Sequence, residues 1–133
     1  MTQPTRLTPH LCVQDGPAAL RWYVDVLGAT ETMESMLMPD GTLGHAELEL
    51  DGAAFMLAGE FPDHHVEGPA PGRGAAVTLS LAVDDVDALA ARMAAAGATL
   101  DRGPEDNELA GRVAVLRDPF GHRWFLNRPI SHA

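Results

Sequence analysis

The chain has one cysteine, Cys12, and only nine basic residues against nineteen acidic ones; aromatics make up 5%. A lone thiol cannot close an internal disulfide, which fits a reducing compartment. Cys12 sits in an apolar, strand-like run, which predicts a buried, inert thiol rather than a nucleophile. The formal charge of −10 repels phosphate backbones and argues against a nucleic-acid partner, and its plain reading is solubility. No run is apolar enough to span a membrane, because the alanine-rich stretch 88–98 is short and carries Arg92. Residues 1–6, MTQPTR, lack the apolar core of a signal peptide, so a cytoplasmic protein with no membrane partner is expected. There is no glycine-rich phosphate loop, and Ser35, Ser80 and Ser131 lack the glycine-flanked elbow of a hydrolase nucleophile.

What is present is an ordinary globular composition over 133 residues, 46% hydrophobic and 21% charged, enough for one domain over 1–133 with a core of its own. The chain also repeats itself. A shift of 70 places Leu11, Val13, Asp15 and Ala18 on Leu81, Val83, Asp85 and Ala88. A shift of 69 places the GAT at 28–30 on the GAT at 97–99, and Gly52, Phe55 and Leu57 on Gly121, Trp124 and Leu126. A single deletion accounts for the difference. Ordered matches of this kind point to two copies of one module.

Local patterns agree. A strand over 7–13 is followed by Asp15 as N-cap, Pro17 in the first helical turn, apolar residues at helical spacing and a stop at Gly28. Strands are expected at 30–38, 43–50 and 53–59, with Pro39-Asp40-Gly41 and Asp51-Gly52 as turns. The second copy reads as strand 77–83, a cap at Asp84 or Asp85, a helix ending at Gly97, a short strand 98–102, then 111–117 and 122–127 joined by DPFG. The expected fold is α+β: two tandem βαβββ modules, about 5–59 and 76–128, forming an open, cupped mixed sheet with helices on its outer face. A Pro- and Gly-rich linker, 60–75, joins them and a tail, 129–133, follows. Leu11, Val13, Leu48, Leu50, Leu79, Leu81, Val83, Trp124 and Leu126 take the helix-side parity, and Met33 reads as core filling. Thr8, His10, Cys12, His45, Glu47, Met56, Thr78, Ser80 and Phe125 take the other, a mixture suited to a small-molecule pocket.

The paired modules, the opening L-x-V-x-D, the GAT after each helix and the closing DPFGHRWFL together resemble the vicinal oxygen chelate superfamily, over residues 5–128. That superfamily includes glyoxalase I, extradiol dioxygenases and bleomycin-resistance proteins. The resemblance implies metal-ligand positions at Thr8, Met56, Thr78 and Phe125. None carries an imidazole or a carboxylate, so no metal and no cofactor is expected. It further implies a homodimer that sequesters a planar or aromatic antibiotic. Phe125, Met56, Met38 and Phe61 would supply apolar contact, and His10, His45, Glu47, Thr78 and Ser80 hydrogen bonds. The competing expectation is a metal-dependent lyase, isomerase or dioxygenase acting on a small metabolite, with His10, His45 and Glu47 as a displaced metal site.

Overall fold

The computed structural model describes residues 1–130; Ser131 and His132, with the rest of the expected tail beyond 130, lie outside them. The chain divides between Gly68 and Pro69 into two compact units, unit 1 and unit 2. Each carries one helix and its own mixed sheet, giving the α+β class.

Unit 1 runs β1 (His10–Cys12), α1 (Gly16–Asp25), β2 (Thr30–Glu31), β3 (Met36–Leu37), β4 (Leu43–Leu50) and β5 (Ala53–Ala58). The sheet order is β1-β5-β4-β2, with β3 also on β4; β1 is parallel to β5 and the other pairs are antiparallel. Asp15 caps α1, its carboxylate accepting from the Ala18 N–H at 3.1 Å. The helix buries Ala19, Trp22 and Tyr23, and Tyr23 meets Phe55 of β5 edge-on at 5.7 Å. Leu11, Leu48 and Leu57 complete that layer. The helix start approaches β4 so closely that a Cβ on Gly16 would fall 2.3 Å from that of Leu43. Asp51 and Gly52 both have positive φ, 49° and 83°, the turn geometry that closes a two-residue hairpin with the right twist.

Unit 2 runs β6 (Thr78–Ala82), α2 (Val86–Ala95), β7 (Thr99–Asn107), β8 (Gly111–Arg117) and β9 (Arg123–Arg128), in sheet order β6-β9-β8-β7 with β6 parallel to β9. Asp85, rather than Asp84, caps α2 by accepting from Ala88 N–H at 3.0 Å. The helix buries Val86, Leu89, Ala90 and Met93 over the sheet. Asp118, 4% exposed, organises the DPFG turn. One of its carboxylate oxygens accepts from the Phe120 and His122 N–H groups at 2.9 and 3.0 Å, and the other from the Trp124 indole at 2.9 Å.

Several expectations need correction. The ladder of the first strand is confined to His10–Cys12. The strand expected at 30–38 is broken in two, because Thr30 pairs with Glu49 and Met36 with His45. Six steps on one strand then face four on the other, and the surplus leaves the ladder between β2 and β3. Met33 lies in that surplus and is 43% exposed, so it is not core. The strand expected to stop at 102 continues to Asn107. Gly103, at φ +75, passes so close to the Val113 carbonyl that no Cβ would fit, and this lets β7 absorb an irregularity that reads locally as a turn. Leu50, Leu79, Leu81 and Val83 are half-buried rather than core, and so is Cys12.

Candidate functional site

On the face of unit 1 turned away from α1, strand register sets the candidate residues in rows. His10 pairs with Met56 and Met56 with Glu47, while Cys12 pairs with Ala58. His45 shares this face with Glu47, and beside it the ladder carries a bulge. Gly59 N–H donates to the Leu43 carbonyl at 2.8 Å, yet Ala46 pairs with Leu57, so β4 carries one residue more than β5 and both Gly44 and His45 stand opposite Ala58. The small Ala58 side chain leaves room above it, and there the His45 and His10 rings meet edge to face, 5.7 Å between centroids.

The His45 Nε2 lies 3.2 Å from a Glu47 carboxylate oxygen. Burial, and secondarily His45, holds His10 below its ordinary pKa of 6.5, so its ring is neutral at neutral pH. The Cys12 thiol donates to the Gly59 carbonyl at 3.4 Å, and burial followed by the Glu60 and Glu67 charges pushes its pKa up, which agrees with an unreactive thiol.

Beside this group lies a hollow of about 160 Å³, lined among others by Arg6, Thr8, Thr32, Glu47, Glu49 and Met56. Thr8 and Met56 therefore share one cavity, while His10 and His45 stand outside it. Met38 packs over Gly44, next to His45. Phe61 belongs instead to the linker, half-buried, with its backbone paired to Val66 ahead of a single turn at Pro62–His64.

In unit 2, Ser80 pairs with Phe125 and Phe125 with Val115; Thr78 pairs with Arg123. Thr78 and Ser80 are exposed and Phe125 is half-buried. The Thr78 hydroxyl accepts from the Arg123 guanidinium at 2.6 Å. Sequence reasoning missed this arginine, although it lies two residues before Phe125 and so shares its parity. A wider hollow of about 530 Å³, at the ends of β7, β8 and β9, is lined by residues such as Asp106, Arg112, Arg128 and Ile130, and none of the expected site residues borders it.

These surroundings do not fit a divalent metal at the four positions that the resemblance implies. Two hydroxyls, a thioether and a phenyl ring are poor donors for such ions, and the Thr78 hydroxyl already accepts from a guanidinium. The displaced set gains no support either. His45 and Glu47 are engaged with each other, and among the described residues no three His, Cys, Asp or Glu side chains gather as they would around an ion.

A sequence model of the Glyoxalase/Bleomycin resistance protein/Dioxygenase superfamily matches residues 5–126. The chain belongs to this superfamily. It is 39% identical over 127 residues to the uncharacterized Mycobacterium bovis protein Mb0911c, a match covering 93% of this chain and 83% of the relative. Among solved structures, TioX from Micromonospora sp. ML1 is 25% identical with a TM-score of 0.71, covering 96% of this chain and 100% of TioX. TnmS3, an antibiotic binding protein from Streptomyces sp. CB03234, is 25% identical with a TM-score of 0.64, covering 97% and 100%. FosX, the fosfomycin resistance protein of Listeria monocytogenes whose structure contains Mn(II), shares the fold alone at 14% identity and a TM-score of 0.71, covering 97% of this chain and 93% of FosX. Proteins of this fold thus include one whose structure contains Mn(II) and one that binds an antibiotic, and fold alone does not separate them.

Proposed function

We propose that this member of the superfamily is a metal-independent binding protein that sequesters an apolar or aromatic natural-product antibiotic and works as a homodimer. The observation that carries the reading is the content of the four inherited positions: Thr8, Met56, Thr78 and Phe125, with Thr78 bonded to Arg123. Where a metal would polarise a substrate, these residues offer hydroxyls, a polarisable thioether and an aromatic ring, which suit holding a molecule rather than transforming it. Likeness to an antibiotic binding protein, TnmS3, supports the same choice.

In this reading Met56, Met38, Phe61 and Phe125 supply apolar and stacking area. In unit 1 His45, beside Glu47, and His10 offer hydrogen bonds to ligand hydroxyls or amides, and in unit 2 Thr78 and Ser80 offer hydroxyls. A symmetric homodimer would present two equivalent sites. The test is calorimetric titration of the chain in chelator with a panel of planar antibiotics. Saturable binding tighter than about 1 mM, roughly −4 kcal/mol, is expected for at least one of them; if none binds, the sequestration reading fails.

A further inference from the structure

The stretch Met33-Glu34-Ser35-Met36-Leu37-Met38 has a feature that apolar packing does not account for. Met36 and Met38 are 52% and 37% exposed, so their thioethers gain little from burial. Both nevertheless fold onto one spot: the Met36 Cε and the Met38 Sδ lie 2.9 and 3.1 Å from where a Cβ on Gly44 would stand. The bare backbone at Gly44 is what admits them. Gly44 directly precedes His45, and Met36 is the cross-strand partner of His45, which puts those two side chains on one face.

All three backbones are pinned. Met36 and His45 lie in the β3–β4 ladder, and Met38 is held in a tight turn by its N–H to the Thr42 carbonyl at 2.8 Å and its carbonyl to Gly41 N–H at 2.9 Å. The Glu47 carboxylate stands 3.2 Å from His45 Nε2, as carboxylates commonly stand behind metal-bound imidazoles, and Nδ1 is the ring nitrogen outside that contact. Two thioethers and one imidazole form a soft donor set without a carboxylate or thiolate. Such a set suits a monovalent d10 ion and is poor for zinc, calcium or magnesium, which prefer thiolate, imidazole or oxygen donors.

We propose that Met36, Met38 and His45 form a site for a soft monovalent cation, Cu(I) or Ag(I), on the face of unit 1 turned away from α1. The site is separate from the four inherited positions, and it stands whether or not the chain sequesters an organic ligand. Binding is simple coordination: no bond to carbon changes and no electron is transferred.

The experiment uses the full chain carrying Cys12→Ser, since a thiol takes soft ions by itself. It is titrated with silver nitrate in chloride-free buffer while the methionine methyl resonances are followed by NMR with 13C-methyl label. The expected result is that the Met36 and Met38 methyls shift and saturate together at one equivalent, while zinc leaves them unmoved. Met36→Leu and Met38→Leu, conservative in volume and on exposed residues, should each weaken silver binding by about tenfold or more, and Glu47→Gln by about tenfold. Thermal melts of each variant confirm that the fold is intact. The proposal is overturned if silver binding is unchanged in the Met36→Leu, Met38→Leu double variant, or if other methionine methyls shift in place of these two.

Discussion

The two units obey one grammar and have diverged in how they use charge. Both open with a short strand parallel to the last strand of the same unit, both cap their helix with an aspartate three residues before the N–H it accepts, and both close with an antiparallel hairpin. Every basic residue of the chain is an arginine. Only Arg6 and Arg21 fall in unit 1, against eleven acidic residues, whereas unit 2 holds seven arginines and eight acids; nearly all of the formal charge of −10 therefore belongs to unit 1.

Unit 2 spends its arginines on side-chain pairs, across strands, within β7 and onto α2. Arg117 grips Asp101 with two hydrogen bonds, Arg112 bridges Asp87 and Asp106, Arg102 pairs with Glu105, and Arg123 reaches Thr78. The contacts to Asp101, Glu105 and Asp106 brace a long, irregular β7. In unit 1 the equivalent strand breaks, and the polar groups of its open face include His10, His45 and Glu47. The difference teaches that duplication supplied the scaffold twice, and that the copies then separated into one braced by ion pairs and one with groups available to a ligand.

The comparison is tested most severely in the cores. Phe55 and Trp124 are equivalent under the repeat, and truncating either to alanine should cost about 3–5 kcal/mol. Trp124→Ala should cost more, because its indole also satisfies Asp118; equal losses in urea melts would undo that distinction. Next come the hairpin turns. Asp118→Ala strips the acceptor from three donors in a buried turn and should cost about 2–3 kcal/mol. Asp51→Gly, in the unit 1 hairpin where φ is already positive, should stay within about 0.5 kcal/mol. If the two changes proved equivalent, the turns would not be built differently.

The caps probe what the copies share. Asp15→Ala and Asp85→Ala should each cost about 1 kcal/mol, and a clear difference in chemical denaturation would mean that the helices contribute unequally. The smallest effect is in pH. The folded state keeps His10 below its ordinary 6.5, so its contribution is complete above that value and is lost as pH falls through the depressed one; His10→Gln should flatten stability in that window. Asp87 and Asp101 are held below 3.8, chiefly by hydrogen bonds from Arg112 and Arg117, so their contribution, present above 3.8, disappears only in stronger acid. Melting temperature against pH, for His10→Gln and for Arg117→Gln, should show two separate windows.

What was legible in the sequence was whatever local chemistry decides. The aspartate caps, the Asp51-Gly52 hairpin and the helix-side rows of Leu11, Leu48, Trp124 and Leu126 follow from spacing and turn preferences, and the repeat carries the fold class. What was not legible depends on distant register. The bulge at Gly44–His45 exists because β5 is one residue shorter there, and it is this bulge that turns Leu43 to the helix side, against simple alternation from Ala46. Asp118 reads as an ordinary turn residue until Trp124 folds back onto it. Met33 looks apolar enough for a core, but its strand has two residues too many to stay in the ladder.

The central claim is that the inherited metal positions now hold a ligand without a divalent ion. Elemental mass spectrometry of the chain purified without chelator, paired with antibiotic titration before and after EDTA treatment, tests it most directly. No stoichiometric manganese, iron, cobalt, nickel or zinc is expected, and EDTA should leave the affinity unchanged. One equivalent of such an ion per chain, with binding that disappears when the ion is removed, would contradict it.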